Sequence, residues 1–196
     1  MVCVPRRKSS SSPSRARLLE TAWRLFYRDG YRTVGIDTIL AEANVAKMTL
    51  YNHFSSKDEL IIAVIKNRSE EILTDLAATV EAAGKSPKRR VLAVFDFLEV
   101  LFGGRDFSGC AFIRAISEYP DTNHPVHRAA WAHKRAVRKM LVGLAKEAGV
   151  KNPAALADNF RLLIDGALVA AHATGQVTPA RTARIAATEL LKATKN

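Results

Sequence analysis

Cysteine is nearly missing from this chain: 196 residues hold two, Cys3 and Cys110. Two thiols exclude a disulfide framework and a four-thiolate zinc site, and they suit a reducing compartment. Long apolar runs are missing as well. A membrane-spanning helix needs about 18 or more uninterrupted apolar residues. The longest such stretch near the C-terminus, LLIDGALVAA, is broken by Asp165. The opening MVCVPRRKSSSSPS is basic but has no apolar segment after it, so no secretion signal is expected. A cytoplasmic location without a membrane partner is the simple reading. There is no period-two alternation that would make a strand, and no internal repeat. A Gly-rich phosphate loop, a His-Glu-x-x-His pair and a nucleophile elbow are all absent. Carboxylates such as Glu118 and Asp165 are scattered, so nothing argues for an enzyme, a cofactor or a catalytic metal.

What the chain does have is positive charge: 30 Lys/Arg against 19 Asp/Glu, a net of +11. Such a surplus points to a polyanionic partner. It is concentrated early, with 12 Lys/Arg against 6 Asp/Glu in residues 1–68. Residues 1–13 read as a disordered basic tail, in which Arg6, Arg7 and Lys8 either touch phosphates or are simply solvated.

From Ser14 the pattern turns helical. Leu18, Leu19, Ala22, Trp23, Leu25 and Phe26 recur at three- and four-residue steps, up to a stop at Asp29-Gly30 with Gly30 suited to a left-handed cap. A second helix is expected over about 36–43, with Asn44 as a left-handed stop, and a third over about 47–54. Ser56-Lys57-Asp58-Glu59 reads as a capping box opening a long fourth helix to about residue 83. Gly84-Lys85-Ser86-Pro87 is a linker. Helical patterns then cover about 88–103, 110–118, 124–148, 153–174 and 179–195, punctuated by Gly and Pro. The fold class is all-α with about nine helices. A helix-turn-helix domain over 14–60 is followed by a larger helical domain over 61–196.

The segment NVAKMTLYNHF carries the chemistry. At 100° per residue, Ala46, Leu50 and Phe54 share one face of the third helix, for docking on the first. Met48, Tyr51, Asn52 and Ser55 lie opposite, flanked by Lys47 and Thr49. A recognition helix needs this split. Asn pairs bidentately with adenine, and Met and Thr methyls meet a thymine methyl. Tyr, Thr, Lys and His53 can bond phosphates. Lys57 sits in the first turn of a helix, where the macrodipole disfavours a cation by roughly 0.3–1 kcal/mol. Either a phosphate lies there, or Lys57 is a solvated side chain beside Asp58 and Glu59.

The run GYRTVGIDTILAEANVAKMTLYNHFSSKDEL, residues 30–60, strongly resembles the DNA-binding segment of the TetR/AcrR family of transcriptional regulators. The likeness covers about residues 14–65 and rests on Val45, Thr49 to Phe54, and Ser56 to Leu60. GCAFIRAISEYPD looks like one branch of that family. The chain departs from the pattern at Asn44, where Gly is usual, at Ala46, where a capping Ser is common, and at Gly35, where Thr or Ser often caps the second helix. Phosphate contacts at that helix must then come from backbone N–H groups, Thr33 or Thr38.

The resemblance implies that the later helices bind a small molecule and form a dimer through the last two. The residues give weaker hints of both. Phe95, Phe97, Phe102, Phe107 and Phe112 crowd into 18 residues. With Leu98, Ile116, Tyr119 and Trp131 they are candidates to line a pocket for an apolar or amphipathic effector, or they are core. Small residues on the 153–174 and 179–195 helices suit a homodimer bundle over about 153–195, or interior packing. Two-fold pairing would set two recognition helices about 34 Å apart on a pseudo-palindromic operator in double-stranded DNA.

Asp121, His124 and His127 cluster around a Pro-rich turn, with His133 following; metal ligands must converge, and His residues in a loop-to-helix segment often fail to, so no metal site is expected. Cys110 lies between Gly109 and an apolar run, with no Lys or Arg beside it to activate the thiol. Arg128, Lys134, Arg135, Arg138 and Lys139 form a basic face, either solvated or turned to DNA or an anionic ligand. The expected function is a dimeric repressor released by a small-molecule effector, with a DNA-binding scaffold that answers to a protein partner as the alternative.

Overall fold

The structure is a computed structural model that describes residues 12–194. Among these residues the chain forms nine α-helices and no strand. It divides into two compact units, one ending at Val64 and the other beginning at Ile65. Most of the basic tail, including Arg6, Arg7 and Lys8, lies outside the described residues. Ser12 and Pro13, expected in the disordered tail, instead start the first helix.

The first unit holds α1 (Pro13–Asp29), α2 (Ile36–Ala43), α3 (Lys47–Tyr51) and the opening turns of α4 (Lys57–Ala82). Helix α1 begins where Pro13 presets the backbone and the Ser12 hydroxyl accepts from the Arg15 N–H at 3.3 Å. Its apolar stripe of Leu18, Ala22, Leu25 and Phe26 is buried, with Tyr31, Ile39, Leu50, Phe54, Leu60 and Ile61 among the other buried side chains of this unit. Phe26 and Tyr31 pack ring to ring at 5.3 Å.

Gly30 differs from the left-handed cap expected of it. Its φ of 96° and ψ of 157° fall in a region open essentially to glycine alone, while its N–H still closes α1 on the Phe26 carbonyl. Asn44 is left-handed, at φ 49° and ψ 55°. The Val45 N–H bonds the Leu40 carbonyl at 3.1 Å and the Asn44 N–H bonds that of Ala41 at 3.3 Å, which is a Schellman stop. That turn joins α2 to α3.

The second unit comprises the rest of α4 with α5 (Pro87–Phe102), α6 (Ala111–Glu118), α7 (Pro125–Glu147), α8 (Pro153–Thr174) and α9 (Thr178–Ala193). Its core runs through α5, α7, α8 and α9, where Phe95 meets Phe160 edge-on at 5.2 Å. Pro opens α5, α7 and α8 at a position where the missing N–H costs nothing. Asn152 caps α8 and the His124 ring caps α7. Gly109 leads into α6 at φ +84°, and a Cβ there would stand 3.0 Å from the His172 ring of α8, so glycine is needed twice over. Among the described residues no helix is long and apolar enough to cross a membrane.

Candidate nucleic-acid interface

Helix α3 is short because its last turn tightens. The His53 N–H reaches the Leu50 carbonyl at 2.9 Å, an i to i−3 bond, and the Phe54 N–H shares the same acceptor at 2.8 Å. The helix therefore ends at Tyr51 rather than near Phe54. This turn still delivers Phe54 to the interior at 2% exposure, beside Leu50 at 0%. Ala46 departs from the expected docking face. It precedes the helix in extended backbone and is exposed, so Leu50 and Phe54 carry the packing without it. Arg15 of α1 lies over the Phe54 ring at 5.3 Å.

The opposite side of α3 is open. Met48 is 71% exposed and Tyr51 44%, large apolar surfaces left in water, and Asn52 beside them is exposed too. Lys47 is exposed and sits 4.0 Å from Asp37, too loose a pair to hold its ammonium. Thr49 is half-buried at the edge of this face, and Thr33, Gly35 and Thr38 are exposed around the start of α2. Gly35 and Ala46 give α2 and α3 no side-chain cap, so their first N–H groups remain available to an external acceptor.

Two residues in this unit have partners that sequence spacing does not reveal. The His53 Nε2 lies 3.1 Å from the Ser12 hydroxyl and 3.3 Å from that of Ser14, which ties the end of α3 to the start of α1. Ser12-Pro13 was the available signal, since Ser before Pro marks a helix start. The Lys57 ammonium donates to the Arg32 carbonyl at 3.0 Å, pinning the α1–α2 turn to the start of α4. That bond accounts for a cation in an unfavourable first turn. The capping box around it is shifted by one residue. Ser56 accepts from the Glu59 N–H at 3.1 Å, but the Glu59 carboxylate reaches back to the Ser55 hydroxyl and N–H, both at 2.6 Å. Those bonds hold the Glu59 carboxyl below its usual range.

This geometry, with one buried stripe, one open polar-aromatic face and two uncapped helix starts, is that of a helix-turn-helix reader of the major groove. Residues 18–64 match the family model for bacterial regulatory proteins of the tetR family. A TetR-family transcriptional regulator from Streptomyces coelicolor shares 35% identity over 94% of this chain and 91% of its own, with a TM-score of 0.89. The chain belongs to the TetR family. Curated relatives match over less of their length. The activator FasR of Mycolicibacterium smegmatis is 35% identical over 43% of this chain and 40% of FasR. The repressor DhaR of a Mycobacterium species is 31% identical over 47% of each. This TetR-family protein is therefore a DNA-binding transcriptional regulator, of a kind that is not enzymatic.

In the larger unit of this TetR-family regulator the candidate effector residues split into groups. Phe95, Leu98 and Phe102 are fully packed in the α5–α7–α8–α9 core, with Phe97 half-buried against it. Phe112 and Tyr119 are buried and Ile116 half-buried on and beside α6. Phe112 stacks on His133 at 3.6 Å, and the His133 Nδ1 lies 2.9 Å from the Ser69 hydroxyl. Burial, helped by the adjacent Lys134 ammonium, pushes the His133 pKa down to about 3, so the ring stays neutral. Trp131 stands apart from both groups. It is 41% exposed, with the Arg161 guanidinium 5.6 Å from its ring centre, on the α7–α8 surface rather than in an apolar pocket.

The remaining groups near the Pro120 turn have structural partners. The His124 ring accepts from the Val126 N–H, His127 Nδ1 donates to the Tyr119 carbonyl at 2.8 Å, and Asp121 accepts from the Asn123 N–H at 2.9 Å. Cys110 precedes α6, half-buried against the main core.

Proposed function

We propose that this regulator is a cytoplasmic homodimeric repressor. It binds a pseudo-palindromic operator in double-stranded DNA and leaves it when a small apolar or amphipathic effector binds the larger unit. The observation that carries the reading is the open face of α3. Met48 and Tyr51 are exposed on a short helix whose Leu50 and Phe54 are buried, and groove contacts would repay that exposure. In this reading Tyr51, Asn52, Met48 and Thr49 meet base edges and nearby phosphates. Lys47, His53, Lys57, Thr33, Thr38 and the backbone at Gly35 meet phosphates.

Dimerisation is supported by an unpartnered apolar stripe. Leu162 (64% exposed) and Val169 (56% exposed) recur on α8 with Gly166 and Ala173 between and beyond them, and Ile185 is 67% exposed on α9. Apolar side chains at that spacing suit a helix-bundle interface between two copies. An effector acts here by linkage: it binds more tightly to the conformation that fits the operator poorly.

The test is footprinting on the DNA upstream of the protein's own gene. The expected result is protection of two half-sites about one helical turn, roughly 34 Å, apart. Affinity should fall steeply with salt, as phosphate contacts require. Binding with no sequence preference at physiological salt would refute the reading. FasR is named an activator and DhaR a repressor, so a reporter fused to the bound promoter reads the sign: deletion of the regulator should raise expression.

A further inference from the structure

The seam between α7 and α8 is laid out as an anion site. Trp131, Lys134, Arg135 and Arg138 recur at three- and four-residue steps on α7, facing Asp158, Arg161 and Asp165 on α8. Between them is an open cleft of about 130 Å³. Drug-sized sites occupy roughly 300–1,000 Å³, so this one suits a ligand of a few heavy atoms.

The charges do not balance. Arg138 and Asp158 satisfy each other through two bonds, Nε to Oδ1 at 2.7 Å and a terminal nitrogen to Oδ2 at 2.9 Å. Asp165 must then serve two cations. Lys134 bonds its Oδ1 at 2.6 Å, and Arg161 approaches its Oδ2 at 3.7 Å. Arg135 is exposed and has no partner among the described residues. Two positive charges are therefore uncompensated across the cleft. Ordinary surface lysines tolerate such a surplus because water solvates them. Lys134 has little access to water, being 6% exposed, and holding an ammonium there beside a second cation on one carboxylate is costly. Trp131 forms the apolar wall, and the Arg161 guanidinium is steadied over its ring.

We propose that this cleft binds a small dianion, a phosphate or a dicarboxylate, bridged between the guanidiniums of Arg135 on α7 and Arg161 on α8. Guanidinium forks match both oxyanion types bidentately. Bridging two helices gives such a ligand a hold on their packing, separate from any effector in the apolar core and from the recognition face of the first unit.

The full chain tests this by calorimetric titration in an amine buffer at constant ionic strength, with sodium phosphate in one arm, sodium succinate in a second and sodium chloride in a third. The expected result is saturable binding of one anion per chain in the phosphate or the succinate arm, whichever responds naming the ligand type, and none with chloride. Arg135→Gln should weaken it at least tenfold without changing the melting temperature of the free protein. Lys47→Gln, on the recognition face, should leave it unchanged. Absence of saturable binding in both anion arms overturns the proposal. So does binding that Lys47→Gln abolishes and Arg135→Gln spares. Neither result touches the operator-binding reading, which footprinting decides.

Discussion

The two units spend their polar groups differently. In the first, the ion pairs Arg24–Glu42, Arg28–Asp29 and Lys47–Asp37 are exposed, and α2 and α3 start without side-chain caps. In the second, Lys134 is buried on Asp165, His133 is buried neutral against Phe112, and side chains cap α7 and α8. The second unit also has exposed pairs, such as Arg181–Glu99 and Arg184–Asp96, so the difference lies in the one cation and the one ring that it holds inside. The contrast is open to measurement.

The largest effect is expected from breaking the buried pair. Asp165→Ala leaves the Lys134 ammonium without its bonded carboxylate; a fully buried pair would cost about 3–5 kcal/mol, and partial exposure of Asp165 brings the expected cost to the low end of that range. The matching change in the first unit, Asp29→Ala beside exposed Arg28, should cost much less, because water screens that pair. Urea denaturation of both variants measures the difference. Similar costs would erase the contrast.

A pH dependence follows from His133. Its folded pKa of about 3 lies below the unfolded value of 6.5, so only the unfolded chain takes up a proton as the pH falls through that range. Stability from this group is complete above the unfolded value. It declines by about 1.4 kcal/mol per pH unit below it, until the folded pKa is reached. Between pH 7.5 and 5.5, wild type should lose about 1.4 kcal/mol more than His133→Gln. Parallel denaturation curves for the two proteins at both pH values would contradict the neutral buried ring.

The smallest effect is a gain. Ala46→Ser supplies the hydroxyl that α3 lacks and should stabilise the first unit by about 0.5–1 kcal/mol, visible as a raised melting temperature. Ala46 is already extended and exposed, so the new side chain meets no obstruction. A loss of stability would mean that the α3 start is built differently.

Local signals were readable wherever they were complete. Helix α2 and its stop are written in Ile36, Ile39, Leu40 and Ala43 followed by Asn44, and α8 in its periodicity between Pro153 and Gly175. The open and buried faces of α3 follow from the helical period alone. The period does not say where the helix begins, and so it puts Ala46 on a face that this residue precedes. Trp131 reads as a candidate for the effector pocket by type. Its surface role depends on Arg161, thirty positions away on another helix. Lys57 looked unsupported because its acceptor is a backbone carbonyl at Arg32, which side-chain patterns do not register. Contacts across the fold were the part that local pattern could not supply.

The central claim is that the exposed face of α3 reads DNA while its buried face only docks. Fluorescence anisotropy on the footprinted operator, at fixed salt, tests it with Tyr51→Ala and Asn52→Ala. Each variant should lose specific affinity by about 1–3 kcal/mol, roughly 5- to 150-fold, while salt-dependent nonspecific binding and helix content are retained. Operator affinity equal to wild type in both variants would contradict it.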